Sequence, residues 1–577
     1  MKKLNILFSL LTKKEKKKFF TLTILMIFVS FLEIASVSAF IPAISVLLKG
    51  DLQYFFDILK LDPLDFQFDQ KYLIYVSLFL IIIVFLFKNI FLIFYTWFNL
   101  SFYFNVGKRL SEYLFNIYLN LPYLSHLDKK NSKLIFNTTE GIEVYRNGLM
   151  HITIMFSEIL IFLGMLIFLS IIDLNSVLLL CILLSFVTLC IFLLNKNRNF
   201  VWGEKAKFHD TSRINTMLQS LSSIKDVKIK NIESFFIKEF NLSNFFRTKF
   251  AKFNQFFTTV PRFFMEFAVI TATFLLIILY MYSGYSYDII LIKLGVFSVA
   301  AFRLYPSTFR IINSYQRYNF CMPVIEDLKN EISSNKNFYK ENYETKIYYN
   351  KNYDCKKIAM NGISFKYPNT SKWVINNLNL SLNENDMIGI SGITGSGKTT
   401  LIDIITGLLN PQKGNFEING IKQNNLPKSL IYNIAYVPQN IALINDTIEK
   451  NITFGDLEKE INIGRLNFAL KNAQLENFIS TLSNGLKTSI GERGLKVSGG
   501  EKQRIGIARA LYSDKKILIL DEATNALDKE TENLILTFLK NQNEYKIIII
   551  ISHEKNTLKY CNRLYEFKGG ILENYAE

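Results

Sequence analysis

The stretch Gly392-Ile-Thr-Gly-Ser-Gly-Lys-Thr-Thr400 decides the fold of the C-terminal part of this 577-residue chain. It fits the phosphate-binding pattern G-x-x-x-x-G-K-[ST] and lies between a strand-like run, Asp386–Ser391, and a helix-like run, Leu401–Leu409. Glycines at such a strand-to-helix turn let backbone N–H groups and the helix N-terminus surround phosphate groups. The spacing therefore predicts a nucleotide-binding loop.

The side chains of this loop predict how a nucleotide is held. Lys398 is placed to reach the β- and γ-phosphates as a point charge, and the Thr399 hydroxyl is placed to ligate Mg²⁺. The predicted nucleotide-binding residues of the loop are Gly392, Thr394, Gly395, Ser396, Gly397, Lys398, Thr399 and Thr400.

Further motifs follow the loop in the sequence. Gln439 carries both a donor and an acceptor, which suits contact with Mg²⁺ and an attacking water. Val497-Ser498-Gly499-Gly500-Glu501 puts a hydroxyl and small residues at a helix start, which suits a second phosphate contact. The apolar strand Ile517–Leu520 ends in Asp521 and Glu522, so these carboxylates are predicted to hold Mg²⁺ and to polarise water respectively. Ile547–Ile551 is another buried strand, and it ends in Ser552-His553.

Composition changes along the chain. The long apolar runs lie between about Phe19 and Pro306, whereas the sequence from about Asn335 alternates short apolar strands with polar helices. We therefore predict an all-α transmembrane domain of six helices, residues 1–334, followed by an α/β P-loop ATPase domain, residues 335–577.

Six apolar stretches are long enough to cross a hydrocarbon core about 30 Å thick, which takes about 20 helical residues. They are Phe19–Val46, Tyr72–Leu100, Leu149–Ile172, Ser176–Leu194, Arg262–Tyr282 and Asp288–Pro306. Lys and Arg are concentrated at the N-terminus and in the two long connections, whereas the segment Gly50–Gln70 is acidic. The positive-inside rule then predicts that the N-terminus, both long connections and the C-terminal domain are cytoplasmic.

The two long connections are predicted to extend the membrane helices into the cytoplasm through Phe102–Tyr118 and Glu204–Ser220. Segments at their tips, near Asn137–Ile142 and Asn231–Phe240, are predicted to contact the ATPase domain. The alternative is that the two connections only present a solvated charged face, which explains the polarity of the connections but not their length.

The formal net charge of +17 does not indicate nucleic-acid binding. Much of the positive charge lies in predicted cytoplasmic loops beside anionic lipid, and no recognisable nucleic-acid-binding module accompanies it. We predict no nucleic-acid partner.

The order of these motifs resembles the nucleotide-binding domain of ABC transporters from about Lys357 to the C-terminus. The resemblance implies ATP and Mg²⁺ as cofactors, with catalytic roles for Glu522, His553 and Gln439 and metal contacts from Thr399, Gln439 and Asp521. It further implies that Tyr367 stacks on adenine and that Asp528 belongs to the D-loop. In this family the signature of one subunit, here Ser498, Gly499, Gly500 and Glu501, closes over ATP held by another. One copy of each motif then predicts a homodimer.

The sequence departs from the family pattern at three places. The signature is VSGGE rather than LSGGQ, which puts Glu501 where an amide is usual, close to the expected γ-phosphate. The D-loop is NALD, and His553 precedes Glu554 where a basic residue is common. Because Ser498 and Gly500 are retained, altered turnover rather than loss is expected.

Basic residues within apolar spans suggest an anionic substrate, because such residues are costly in a membrane and tend to be functional. Arg303, Arg310 and Arg317 recur every seven residues and share one helix face. Together with Lys88 and Arg262 they suit an anionic group such as a pyrophosphate. The alternative is that these residues snorkel to the interface or pair with Glu33, Glu158 and Glu266.

The membrane half adds a second resemblance. Leu52, Phe55, Phe56 and Leu59 have the spacing of a short amphipathic helix on the outer leaflet. With SFLEIASVSAFIPAI, VPRFFMEF and AFRLYPSTFRIINSY, this half is similar to the PglK-type flippases of bacterial protein glycosylation. That similarity implies translocation of a polyprenyl-pyrophosphate-linked oligosaccharide from the cytoplasmic to the periplasmic leaflet of the inner membrane.

Two alternatives remain open at this point. One is a lipid A or multidrug exporter, which favours a wide apolar cavity with less cationic lining. The other is an ABC-type protein that gates or senses without pumping, against which the retention of Glu522, Ser498 and Gly500 argues.

Overall fold

The computed structural model describes residues 2–40, 70–172, 174–195, 197–285, 287–343, 356–368, 370–456, 460–491, 494, 496–542 and 544–574. The predicted outer amphipathic helix with Leu52, Phe55, Phe56 and Leu59 lies outside these residues. The chain divides into two compact units. The first contains Met1–Leu121 and Asp128–Glu344, and the second contains Pro122–Leu127 and Thr345–Glu577.

The first unit is helical throughout its described residues. Its helices are α1 (Lys2–Ser9), α2 (Lys13–Ser38), α3 (Gln70–Leu119), α5 (Asn131–Thr138), α6 (Glu140–Ile172), α7 (Leu174–Asn195), α8 (Arg198–Ser222), α9 (Ile224–Lys230), α10 (Glu233–Thr259), α11 (Pro261–Tyr282) and α12 (Tyr287–Tyr343). The helix α4 (Tyr123–Asp128) begins in the segment that belongs to the second unit.

Several of these helices are able to cross a membrane by length and composition. Among the described residues four segments qualify, and a fifth is added if the bent pair Val177–Leu193 and Arg198–Ser222 counts as one span. The sixth predicted span, Asp288–Pro306, is helical as part of α12 but is not among the segments that qualify. It carries three charged residues, Asp288, Lys293 and Arg303.

The predicted helical extensions differ from each other. The extension Phe102–Tyr118 is confirmed, because α3 runs without interruption for 50 residues, about 75 Å at 1.5 Å per residue. The second extension does not continue its membrane helix. Asn197 has a φ of 64°, in the left-handed region that ends a helix, and α8 begins anew at Arg198.

One short segment of the N-terminal half belongs to the second unit, while the predicted contacts of Asn137–Ile142 and Asn231–Phe240 with the ATPase domain stay a prediction. Pro122–Leu127 clusters with the second unit, and Leu124 packs against the core of that unit. Asn137 instead is buried in the first unit, where its Nδ2 donates to the Tyr118 hydroxyl at 3.0 Å.

The second unit is an α/β domain with two sheets. The strands are β1 (Lys357–Phe365), β2 (Ile375–Asn383), β3 (Asp386–Ser391), β4 (Lys413–Ile418), β5 (Ile421–Gln423), β6 (Ile434–Val437), β7 (Ile517–Asp521), β8 (Ile547–Ile551), β9 (Arg563–Lys568) and β10 (Ile571–Asn574). One sheet has the order β2-β1-β4-β5 and is antiparallel. The other has the order β10-β9-β3-β8-β7-β6 and is parallel except at β10.

Helices connect and cover these strands. They are α13 (Lys398–Ile405), α14 (Lys428–Tyr432), α15 (Ile448–Ile452), α16 (Ile463–Asn472), α17 (Glu476–Ser480), α18 (Gly499–Tyr512), α19 (Lys529–Asn541) and α20 (Lys555–Leu558), with one 3₁₀ turn at Gly485–Lys487. The predicted strands Asp386–Ser391 and Ile547–Ile551 are confirmed with these bounds. All five isoleucines of β8 are buried, as expected for a central parallel strand covered on both faces.

Candidate functional site

The parallel sheet brings the predicted site residues to one edge. The phosphate loop follows β3, Ser552-His553 follows β8, Glu522 follows β7, and Gln439 follows β6 shortly after its end. These four strands are neighbours in the order β3-β8-β7-β6 and run parallel. Their carboxyl ends therefore lie side by side, which is where open α/β sheets bind ligands.

The phosphate loop has a backbone that only glycine adopts readily. Gly392 has a φ of 153°, and a Cβ added there would lie 2.6 Å from the carbonyl oxygen of Phe567. Lys398 begins α13, and its Nζ donates to the carbonyl oxygens of Gly392 at 2.5 Å and Ile393 at 3.1 Å. The Lys398 ammonium thus contacts the backbone of the phosphate loop itself, where a phosphate is expected to bind.

The electrostatics around Lys398 fit an anion. Burial lowers the pKa of this ammonium, and the nearby Glu522 and Asp521 carboxylates act in the opposite direction. The Ser396 Oγ is buried and has no hydrogen-bond partner among the described residues. A loop with a partly buried ammonium and an unused hydroxyl is suited to receive phosphate oxygens.

The Glu522 carboxylate is the centre of the site. Gln439 Nε2 donates to its Oε2 at 2.6 Å, and Asn525 Nδ2 donates to the same oxygen at 3.2 Å. His553 Nε2 lies 3.0 Å from Oε1 and 3.4 Å from Lys398 Nζ. Two predicted catalytic residues, Gln439 and His553, therefore both contact the third, Glu522.

Glu522 also has an unusual backbone conformation. Its φ is 48°, in the left-handed region, and its N–H donates to the carbonyl oxygen of Ile551 at 3.0 Å. Non-glycine residues in this region carry strain that the surrounding structure must hold, and such residues cluster at functional sites. The hydrogen bond to β8 ties the carboxylate to the strand that positions His553.

The predicted magnesium ligands offer oxygen atoms of the kind that Mg²⁺ prefers. Asp521 ends β7, and its Oδ2 accepts a hydrogen bond from the Tyr436 hydroxyl at 3.1 Å. Burial raises the pKa of the Asp521 carboxyl, and the neighbouring Glu522 adds to the shift. Thr399 is exposed at the start of α13. A cation is the natural compensation for two adjacent carboxylates, so the donor set fits Mg²⁺.

The signature forms a capped helix start. The Ser498 Oγ accepts from the Glu501 N–H at 3.3 Å, and the Glu501 Oε2 accepts from the Ser498 N–H at 2.7 Å. This reciprocal pair is a capping box at the N-terminus of α18. The unusual Glu501 thus has a hydrogen-bond partner within its own helix start, and its position beside the γ-phosphate stays a prediction.

The signature helix is tied to the strand that carries Glu522. The Gln503 Oε1 accepts from the Ala526 N–H at 2.7 Å, and its Nε2 lies 3.4 Å from the Glu522 carbonyl oxygen. A Cβ at Gly500 would lie 2.9 Å from the Ala526 carbonyl oxygen, so this position requires glycine. Asp528 caps α19, with its Oδ2 accepting from the Thr531 N–H at 2.9 Å.

Gln503, Asn525 and Tyr436 contribute to the site but were not predicted from the sequence. Each lies within or beside a motif, but its role depends on contacts between strands and helices that the sequence does not specify. Tyr367, predicted to stack on adenine, has its hydroxyl 3.1 Å from Thr400 Oγ1 and its ring edge-on to Phe365. Its adenine role stays a prediction.

The basic residues predicted to bind substrate are paired with carboxylates. Lys88 Nζ lies 3.5 Å from Glu33 Oε2, and Arg303 Nη2 lies 3.1 Å from Glu33 Oε1. The described structure therefore contains the pairing with carboxylates that was the alternative for these residues, and their contact with substrate stays a prediction. The physical reason for the pairing is that a carboxylate on a neighbouring helix is the nearest compensation for a charge removed from water.

The remaining two substrate candidates have separate partners. Arg310 Nε lies 2.6 Å from Glu158 Oε1, whereas the exposed Arg262 lies 3.0 Å from Glu266 Oε1. The Glu33 cluster differs from these pairs because its one buried carboxylate serves two cations. Among the described residues, its ion pairs contain two cations and one carboxylate, which gives a formal charge of +1.

The fold is a helical unit with several apolar helices followed by an α/β nucleotide-binding unit, which is the architecture of ABC exporters. Residues 375–525 match the family described as ABC transporter. The chain is also similar in structure to a bacterial Atm1-family ABC exporter with ATP bound, with a TM-score of 0.74 and 20% identity. That likeness covers 96% of this chain and 94% of the other, and it shows the shared fold.

Curated relatives match over a shorter stretch. An ATP-dependent lipid A-core flippase of Cupriavidus metallidurans is 33% identical over 215 residues, 37% of this chain and 36% of the relative. An ABC transporter B family member 6 of Dictyostelium discoideum is 35% identical over 223 residues, 37% of this chain and 33% of the relative. The chain thus matches about a third of the length of these relatives.

Proposed function

We propose that the protein is an ATP-hydrolysing exporter that acts as a homodimer in the inner membrane of a bacterium. Its N-terminus and ATPase unit face the cytoplasm in this proposal. The observation that carries it is the contact between Glu522, Gln439, His553 and Lys398 at one edge of a parallel sheet. A protein that only senses nucleotide has no need for this complete hydrolytic set.

The chemistry follows from the positions of these groups. The phosphate loop and Lys398 hold the phosphates, and Thr399, Gln439 and Asp521 would hold Mg²⁺. Bound Mg²⁺ supplies charge neutralisation at the β- and γ-phosphates. The Glu522 carboxylate orients and polarises the attacking water, while His553 fixes that carboxylate by its 3.0 Å contact.

The site is completed by a second copy of the chain in this proposal. Ser498, Gly499, Gly500 and Glu501 begin a helix whose N-terminal N–H groups and dipole favour an anion. The capping box leaves the Ser498 O–H free to act as a donor, because its oxygen accepts from Glu501. Asp528 of the same copy lies in the D-loop that follows β7.

The proposed substrate is a polyprenyl-pyrophosphate-linked oligosaccharide, moved to the periplasmic leaflet for protein glycosylation. The Glu33 cluster supports this choice, because a buried site with two cations and one carboxylate is completed by an added anion. Arg310, within α12, and Arg262, at the start of α11, offer further charge-assisted contacts. Each such contact contributes about 1.5–3 kcal/mol.

A lipid A-core exporter is the second candidate, and the name of the Cupriavidus relative favours it. Both lipids carry phosphate groups on a glycan, so the cationic cluster by itself does not separate them. A multidrug exporter fits less well, because a hydrophobic drug gains nothing from buried cations.

Translocation in reconstituted vesicles tests the substrate. We expect Arg303→Ala and Arg310→Ala to reduce flipping of a labelled polyprenyl-pyrophosphate oligosaccharide at least tenfold while basal ATP hydrolysis changes little. Arg303→Lys should retain part of the activity, because an ammonium keeps the charge but loses the bidentate geometry of a guanidinium. Normal flipping by both alanine variants, or transport of lipid A or dyes but not of this lipid, would contradict the proposal.

A further inference from the structure

A cavity of about 350 Å³ lies within the first unit, among residues of α6, α7, α8 and α12 and the turn between α7 and α8. Its lining differs from the rest of the membrane unit because it is rich in carboxamides. The carboxamides include Asn195, Asn197, Asn199 and Gln316, and two aromatic residues, Phe192 and Tyr315, also line the cavity.

The lining favours an uncharged hydroxylated ligand. Carboxamides both donate and accept hydrogen bonds, as sugar hydroxyls do. None of the described lining residues is charged. The Phe192 and Tyr315 rings have centroids 6.2 Å apart and supply the apolar surface that a sugar ring also presents. A pocket of mixed apolar surface and a few polar groups is the usual form of a small-molecule site.

Gln316 gives an independent sign of binding. Its side chain is only 3% exposed, and within the described residues its Oε1 has no hydrogen-bond partner. The Asn195 Oδ1 is likewise buried and without a partner there. Buried polar atoms are nearly always paired, so two unpaired amide oxygens at one cavity require a reason. Rotation of either amide about its last bond turns a donor or an acceptor towards a ligand.

Asn199 serves a different purpose at the same cavity. Its Oδ1 accepts from Asn254 Nδ2 at 3.2 Å, which fixes α8 against α10. We therefore assign ligand binding to Gln316 and Asn195, and positioning to Asn199.

The cavity adjoins one of the charged pairs. Gln316 follows Arg310 by six residues in α12, and Met155 of the cavity precedes Glu158 by three residues in α6. Arg310 and Glu158 are joined by the 2.6 Å contact described above. A phosphate held at Arg310 therefore has a neutral, amide-lined cavity about two helical turns away.

We propose that this cavity binds uncharged sugar residues of a glycolipid headgroup while Arg310 holds the adjoining phosphate. The proposal rests on the proposed function, and it makes the glycan itself a determinant of affinity. A site built to bond hydroxyls discriminates strongly against an analogue that lacks them.

The experiment compares two lipids bound to the full-length protein in nanodiscs. One is a polyprenyl pyrophosphate without sugar, and the other carries a neutral oligosaccharide on the same pyrophosphate. We expect wild type to bind the glycosylated lipid at least about fivefold more tightly, the effect of about one net hydrogen bond. Gln316→Met should abolish that preference without changing affinity for the sugarless lipid.

A matched control and a second variant keep the result interpretable. Gln219→Met makes the same substitution at an exposed position of α8 that does not line the cavity, and it should retain the preference. Gln316→Asn keeps an amide but withdraws it by one methylene, so it tests the site if Gln316→Met fails to fold. The Asn variant should also lose the preference.

The outcomes separate the two proposals. If wild type binds neither lipid, the proposed substrate is wrong, and the proposed sugar site is wrong as well. If wild type binds both lipids equally, or if both Gln316 variants retain the preference, the sugar site is wrong while the flippase proposal stands. Arg310→Ala should weaken the binding of both lipids, because both carry the pyrophosphate.

Discussion

Neutralising Glu33 is the sharpest perturbation of the membrane unit. The buried Glu33 carboxylate lies 3.5 Å from Lys88 Nζ and 3.1 Å from Arg303 Nη2, and the two basic side chains are only 11% and 19% exposed. Glu33→Gln keeps the shape of the side chain and removes the charge. Two cations then remain close together with no carboxylate between them.

The expected loss of stability in Glu33→Gln follows from the burial of the three charged side chains. Removing one partner of a buried ion pair costs about 3–5 kcal/mol, because the remaining charge stays desolvated. A loss of that size lowers the thermal midpoint by more than about 5 °C. Glu143→Gln is the matched control, because its 60% exposed side chain pairs with Arg146 and should contribute less than about 1 kcal/mol.

The assay is thermal unfolding of the full chain in nanodiscs, with and without polyprenyl pyrophosphate. Glu33→Gln should melt well below wild type and Glu143→Gln, and the pyrophosphate lipid should restore part of the loss because it supplies the missing negative charge. A Glu33→Gln midpoint within about 1 °C of wild type would refute the buried cluster. If Glu33→Gln loses stability and the lipid restores none of it, the role of the Glu33 cluster in substrate binding is refuted.

Three further predictions concern the ATPase unit. Glu522→Gln should lower ATP turnover by about 10²–10⁴-fold while ATP still binds, since the water loses its polarising carboxylate; hydrolysis at the wild-type rate by purified protein would exclude that role. Mixed dimers of Lys398→Ala and Ser498→Arg subunits should keep one intact composite site and measurable hydrolysis, and cross-linking that finds only monomers in the ATP-trapped state would rule out the dimer. Burial, with a contribution from Asp521, raises the pKa of the Asp403 carboxyl to about 6, so ionisation destabilises the folded unit progressively between pH 4 and 6. Asp403→Asn should therefore have a higher thermal midpoint than wild type above pH 6 and the same midpoint below pH 4. A difference in midpoint that stays constant across this pH range would contradict the raised pKa of Asp403.

The strands and the phosphate loop were predictable because their signals are local. Asp386–Ser391 and Ile547–Ile551 are short apolar runs with fixed neighbours, and each motif follows directly from its strand. The capping of Ser498 by Glu501 also had a local signal, since Ser-x-x-Glu is the pattern of a capping box. The ABC family pattern has an amide at this position and implies a nearby γ-phosphate, which stays a prediction for Glu501.

The pairing in the membrane unit was not predictable in the same way. Glu33, Lys88 and Arg303 lie on α2, α3 and α12, far apart in the sequence, and only packing decides which carboxylate meets which cation. The sequence offered Glu33, Glu158 and Glu266 as partners without choosing among them. The same holds for Pro122–Leu127, whose membership in the second unit depends on tertiary contacts.

The Glu33 cluster bears on function because the charges of its described ion pairs do not balance. A cluster kept only for stability is expected to be neutral, since each unpaired buried charge costs several kcal/mol. One carboxylate between Lys88 and Arg303 holds the cluster together in the absence of a ligand and still leaves a charge of +1 to attract an anion. In the proposed flippase, an anionic lipid headgroup would compete with Glu33 for the same two cations. That competition would limit how tightly the headgroup is held, which suits a protein that has to release its substrate.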